Sequence, residues 1–197
     1  MELPLILVTN DDGIYSAGLW ELAAGLLPLG EVLIVAPNRQ WPGAGRSLGQ
    51  GVTGRIEEMS RVWRGQWLRA YAVDASPAQV VGHAFTEIAP RPPTLAVSGV
   101  NFGYNLATDI TISGTVGAAM EAASLGARAI AVSVQVAPEY HLSGDEASEY
   151  GPAVALTCQL AEQLLTCGAP PDVDLLNINV PSAATLETPW RLTRLSR

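Results

Sequence analysis

Two adjacent carboxylates, Asp11 and Asp12, stand in Asn10-Asp11-Asp12-Gly13, directly after the run Leu5-Ile6-Leu7-Val8-Thr9. Along a strand, neighbouring side chains point to opposite faces. The pair therefore converges only where the strand has ended, and Gly13 permits that turn. Adjacent acids at a strand end repel each other unless a cation lies between them. The functional reading is a hard divalent cation of the Mg²⁺ or Mn²⁺ kind. The plainer reading is an Asx-rich turn that caps the next helix. Ligands of α/β proteins bind at the carboxyl ends of strands, which favours the cation.

Asn101 leaves the run Thr94-Leu95-Ala96-Val97-Ser98-Gly99-Val100 much as the two aspartates leave theirs. An amide oxygen is a sound third ligand for a hard cation, although Asn also takes left-handed turn conformations readily. Ser113-Gly114-Thr115 opens a helix-like stretch of small residues, Val116-Gly117-Ala118-Ala119. Free N–H groups at such a start make an anion site, and Ser113 is equally an ordinary N-cap. Taken together, two acids, an amide and a helix start fit a phosphate ester held between a metal and a helix N-terminus.

Other chemistries fit less well. His83 lies in a predicted helix and His141 in a loop, without Cys or His partners at zinc spacing. There is no G-x-S-x-G elbow and no Walker lysine motif. A dinucleotide fingerprint would need glycines after the first strand, where this chain has acids. The D-x-D pattern of aspartyl-phosphate phosphatases is absent, since the acids here are adjacent.

The elements that must position these residues alternate. Buried strands are expected at 5–8, 31–36, 68–73, 94–97, 127–134 and 174–180. Helices are expected at 17–27, with Ser16 as N-cap, and at 77–85, where Pro77 takes the tolerated first position. Two more are expected at 113–125 and 149–167. A glycine-rich loop covers 42–47, an irregular stretch runs to Trp67, and 135–145 is a loop. Trp63 and Trp67 read as packing residues. Strand, helix and strand within the first 36 residues form a right-handed βαβ unit, the opening of a doubly wound sheet.

With 197 residues, 48% hydrophobic and 15% charged, the chain suits one folded domain. The net charge of −8 weighs against nucleic-acid polymers as partners. No apolar stretch nears the roughly 18 residues of a membrane span, and no signal peptide is recognisable. Cys158 and Cys167 fall in one predicted helix, about 13 Å apart along its axis, too far for a disulfide. A cytoplasmic location with reduced thiols is expected.

These motifs, in order over nearly the whole chain, resemble the SurE (survival protein E) family of metal-dependent nucleoside-monophosphate phosphatases. The matching pieces are Ile6-Leu7-Val8-Thr9-Asn10-Asp11-Asp12-Gly13-Ile14 with Gly18, Val35-Ala36-Pro37-Asn38-Arg39, Ser98-Gly99-Val100-Asn101 with Gly103 and Asn105, Ser113-Gly114-Thr115-Val116, and Leu176-Asn177-Ile178-Asn179-Val180-Pro181. The resemblance implies a Rossmann-like three-layer sandwich with a mostly parallel sheet, in a homodimer or homotetramer. It implies hydrolysis of nucleoside 5′- and 3′-monophosphates, sometimes also of short polyphosphate. One divalent cation, Mg²⁺ or Mn²⁺, would be held by Asp11, Asp12 and Asn101, with one of the aspartates accepting the proton of the attacking water. Ser113, Gly114 and Thr115 would cradle the phosphate, with Asn105 as a further donor and Asn10 beside the substrate. Of the aromatics near the mouth, Tyr104 before Trp41 is a candidate to stack on the base, and simple packing is the alternative reading of both.

Two positions depart from the family pattern. A fourth family ligand is a Ser in the loop after the second strand, and Pro42 stands there, with Ser47 nearby. The family's extended carboxyl tail is also expected to be missing, which leaves a single domain over 1–197. The departure at Pro42 keeps open a nucleotide-binding protein with weak or lost catalysis, and a phosphatase of broad specificity is a separate alternative.

Overall fold

Leu5, Ile6, Leu7 and Val8 are all buried, as an aliphatic run without polar alternation requires. They belong to β1 (Leu5–Thr9), the central strand of a seven-stranded sheet. The computed structural model describes residues 2–135 and 150–195. After β1 come α1 (Ala17–Leu26), β2 (Glu31–Pro37), β3 (Ile56–Trp63), β4 (Gln66–Val73), α2 (Pro77–His83) and β5 (Leu95–Phe102). Then follow α3 (Gly114–Ser124), β6 (Arg128–Val134), α4 (Gly151–Cys167) and β7 (Leu175–Val180). The strand order is β3-β4-β2-β1-β5-β6-β7. Every pairing is parallel except that of β3 with β4.

The pleat of β1 sorts its side chains between two cores. Ile6 and Val8 pack with Leu19, Trp20 and Leu22 of α1 and Ala153 and Ala161 of α4. Leu7 faces the other way, among Val80 and Val81 of α2 and Ala118 and Ala122 of α3. The result is a three-layer α/β sandwich. Each fully buried aliphatic side chain contributes about 1.5–3 kcal/mol. β1 pairs with β2 on one side and β5 on the other, and the order reverses between these neighbours. Ligands of open α/β sheets bind at such a switch point, beyond the carboxyl ends of the strands.

The structure corrects several expectations. The stretch ahead of Trp67 is irregular only as far as Arg55: Ile56–Trp63 forms β3 and pairs in full register with β4. Its side chains are a mixture of exposed and half-buried, with none fully buried, so no continuous apolar run announced it. Trp63 packs against the core, whereas Trp67 is 71% exposed and does not. β5 runs on past Val97 to Phe102, with a register shift between Ser98 and Asn101, so Asn101 lies within its last turn of strand rather than after it. Ser16 precedes α1 without making a side-chain cap, while Ser76 forms a full capping box with Gln79 at α2. Cys158 and Cys167 both lie in α4 as free thiols. His141 and nearly all of the expected loop at 135–145 lie outside the described residues.

Candidate active site

At the end of β1 the chain turns back sharply. Asn10 Oδ1 accepts from the Gly13 N–H at 3.1 Å and Asn10 Nδ2 donates to the Gly13 carbonyl at 3.1 Å. Gly13 has a positive φ of 93°, and a β-carbon there would lie 2.9 Å from the Arg39 carbonyl carbon. The turn is therefore wedged against the loop that follows β2. Asn10 is fully buried and its amide shapes this turn instead of lining the cavity.

The turn delivers both aspartates to one cavity of about 310 Å³. Asn101, Asn105 and Ser113 line it too, along with Gln40, Pro42 and Tyr104. Asp11 is buried and its Oδ1 accepts a 2.6 Å hydrogen bond from Thr115 Oγ1. Burial pushes its carboxyl above the ordinary value, while the Thr115 hydroxyl and the backbone N–H groups of Thr115 and Gly114 pull it down. Asp12 is half-buried. Burial first, and the neighbouring Asp11 charge second, push its carboxyl up to about 7; the Gln40 amide and the Phe102 backbone act against them. Its Oδ1 accepts from Gln40 Nε2 at 3.1 Å. Its Oδ2 is shielded from solvent and has no hydrogen-bond partner.

The α3 start differs from its expected role. Ser113 Oγ caps the helix by accepting from the Val116 N–H at 3.1 Å, and Ser113 still faces the cavity. Gly114 and Thr115 are turned toward Asp11: a β-carbon on Gly114 would lie 2.8 Å from Asp11 Oδ2, and Thr115 is fully buried. The anion at this helix N-terminus is thus the Asp11 carboxylate itself.

On the far wall, Asn101 Nδ2 donates to the Gly103 carbonyl at 2.9 Å, which leaves its oxygen as the donor atom for a cation. Asn105 is tied down from several sides. Its N–H donates to Asn179 Oδ1 at 2.8 Å, and its Nδ2 to Ser133 Oγ at 2.8 Å. Its carbonyl accepts from Asn177 Nδ2 at 2.9 Å and Asn179 Nδ2 at 3.2 Å. Tyr104 donates its hydroxyl to Gln135 at 3.0 Å beside the cavity. Trp41 does not line it; its ring lies under the Arg39 guanidinium, 4.9 Å away.

Reading the sequence missed Gln40, Ser133, Asn177 and Asn179 as contributors. For the last two a signal existed. Amides at alternate positions of an otherwise aliphatic strand share one face, so they reach the same neighbour.

The donor set suits a hard cation. Two carboxylates and an amide oxygen line one cavity, one carboxylate oxygen is orphaned, and burial pushes the proton affinity of both acids above the ordinary value, with the Asp11 charge adding to the rise at Asp12. Among the described residues, no group of three or more His, Cys, Asp or Glu gathers elsewhere to compete.

A family model described as Survival protein SurE matches residues 6–197. The chain is 44% identical over 196 residues to the 5′-nucleotidase SurE of Methanocella arvoryzae and 42% identical over 193 residues to that of Archaeoglobus fulgidus, covering 98% of this chain in each case. The crystal structure of the SurE protein from Aquifex aeolicus superposes with a TM-score of 0.72 at 32% identity over 91% of this chain. The chain spans 72% of each of the two archaeal relatives and 66%, just under two thirds, of the Aquifex chain.

Proposed function

The chain belongs to the SurE family, and from that membership we propose that it hydrolyses nucleoside 5′-monophosphates, with 3′-monophosphates as further substrates, to nucleoside and phosphate with one bound divalent cation. The observation that carries the reading is the meeting of Asp11, Asp12, Asn101 and Ser113 around one cavity at the switch point of the sheet. Mg²⁺ or Mn²⁺ is the cation, since all donors are oxygen. When bound, it supplies Lewis-acid polarisation of the phosphoryl group and charge neutralisation during transfer.

The chain's own residues do the rest. Asp11 is the fixed ligand, braced by Thr115 and the start of α3. Asp12 is the second ligand: Gln40 holds its Oδ1 and its Oδ2 is free of protein partners, so that oxygen would face the cation, and one of the two aspartates would accept the proton of the attacking water. Asn101 adds its amide oxygen. The Ser113 hydroxyl and the Asn105 amide, which both line the cavity, bind phosphate oxygens. Tyr104 and the exposed Ile112 at the rim offer the nucleoside an apolar contact. Gly114 and Thr115 act on substrate only through Asp11.

Pro42 also lines the cavity and offers no side-chain oxygen, so a bound cation would take no side-chain ligand from that position. No observation favours the reading of lost catalysis. We further infer a single domain acting in the cytoplasm as a homodimer or homotetramer. No helix among the described residues is long and apolar enough to cross a membrane. The substrate class is tested by phosphate release from a panel of nucleoside 5′- and 3′-monophosphates, nucleoside triphosphates and p-nitrophenyl phosphate with Mn²⁺ present. A preference for the monophosphates supports the reading, and equal rates on the aryl phosphate favour a phosphatase of broad specificity.

A further inference from the structure

Gln40 stands in the loop after β2 and belongs to none of the motifs described above. Its backbone surroundings are fixed to the β1 turn on both sides: Ile14 N–H donates to the Pro37 carbonyl at 2.8 Å, and Trp41 N–H to the Asp11 carbonyl at 2.8 Å. Between these bonds Gly13 packs on the Arg39 main chain. The Gln40 side chain is thereby brought to the cavity wall, where its Nε2 donates to Asp12 Oδ1. Of the neighbouring loop residues on that wall, Pro42 and Gly43 have no side-chain polar atom, so Gln40 is the one whose side chain can bond to the site.

A carboxylate is planar, so fixing one oxygen and the stem fixes the direction of the other. Asp12 Oδ1 is held by Gln40, and Asp12 Oδ2 is left without a partner and shielded from water. A neutral amide does this without cancelling the charge, whereas a Lys or Arg in its place would compete with the cation. We propose that Gln40 is a positioning residue for cation binding, holding Asp12 so that its free oxygen is aimed at the cation. The inference rests on the cation-dependent reading above. Partners of this kind around metal ligands set affinity as well as geometry.

Gln40 is exposed, so its replacement leaves the cores intact. The test is Mn²⁺ titration calorimetry on the unaltered protein and on Gln40→Met, which keeps length and loses the donor, with melting temperatures as the control on folding. The expected result is an Mn²⁺ Kd raised by roughly 10–100-fold at an unchanged melting temperature, with kcat recovering at saturating Mn²⁺ and KM for the nucleotide unchanged. A Gln40→Met protein that binds Mn²⁺ as tightly as the unaltered one overturns this inference alone. An unaltered protein that binds no Mn²⁺ overturns both this inference and the function it rests on.

Discussion

Thr115 Oγ1 donates to Asp11 Oδ1 at 2.6 Å across 104 positions of chain. The bond ties the end of β1 to the start of α3, and so ties the first acid of the site to the helix whose N-cap, Ser113, lines the cavity. A hydrogen bond to a charged group is worth about 1.5–3 kcal/mol. Thr115→Val, of the same shape without the donor, is therefore expected to weaken Mn²⁺ binding roughly tenfold, and Thr115→Ser to restore most of it. Calorimetric titration of the three proteins checks this; equal affinities would show that the bond does not hold the ligand.

Gly114 is expected to tolerate no side chain. A β-carbon there would lie 2.7 Å from Asp11 Cβ and 2.8 Å from Oδ2, closer than packed atoms allow, so the carboxylate must move. A displacement near 1 Å at a reacting centre lowers rates on the order of 100-fold. Gly114→Ala should thus reduce kcat/KM by about that factor while the protein remains folded, as steady-state kinetics with far-UV dichroism will show.

Asn179 lies on β7, outside the cavity lining, yet exchanges two hydrogen bonds with the Asn105 main chain. Asn179→Ala should loosen Asn105 and raise KM for the nucleotide several-fold, on the order of 1 kcal/mol of lost binding, with Mn²⁺ affinity unchanged. A change in Mn²⁺ affinity instead would move the β7 amides to the cation side of the site.

The fold was legible because the strands that carry it are buried on both faces. Ile6, Leu7 and Val8 read as aliphatic runs, and Gly13 after them marked the turn. β3 was hidden because much of it meets solvent, with Glu57, Glu58 and Arg61 breaking any apolar run. The acids and Asn101 were legible from their place at strand ends. The role of Gly114 and Thr115 was not, since an anion-binding helix start looks the same in sequence whether the anion is a substrate phosphate or the protein's own Asp11. Gln40 escaped for a similar reason: nothing local distinguishes an amide that braces a carboxylate across a loop pair from one in solvent.

The pH dependence of the metal-free protein follows from Asp12, whose carboxyl rises from an ordinary 3.8 to about 7 on folding. The folded state then binds the proton more tightly than the unfolded one, so stability declines as pH rises between these values. The melting temperature of EDTA-treated protein should accordingly fall from pH 5 to pH 8 through this group. Mn²⁺ displaces the proton, so its affinity should climb over the same range and its addition at pH 8 should raise the melting temperature. A metal-free melting temperature that rises toward pH 8, with no response to Mn²⁺, would contradict this assignment of Asp12.

The central claim is that Asp11, Asp12 and Asn101 hold a cation that nucleotide hydrolysis requires. It is tested most directly by measuring phosphate release from a nucleoside 5′-monophosphate by EDTA-stripped protein before and after addition of Mn²⁺, beside an Asp12→Asn protein of equal melting temperature. The account predicts release by the unaltered protein only after Mn²⁺ is added, and almost none by Asp12→Asn. Release that persists in EDTA, or that Asp12→Asn retains in full, would contradict it.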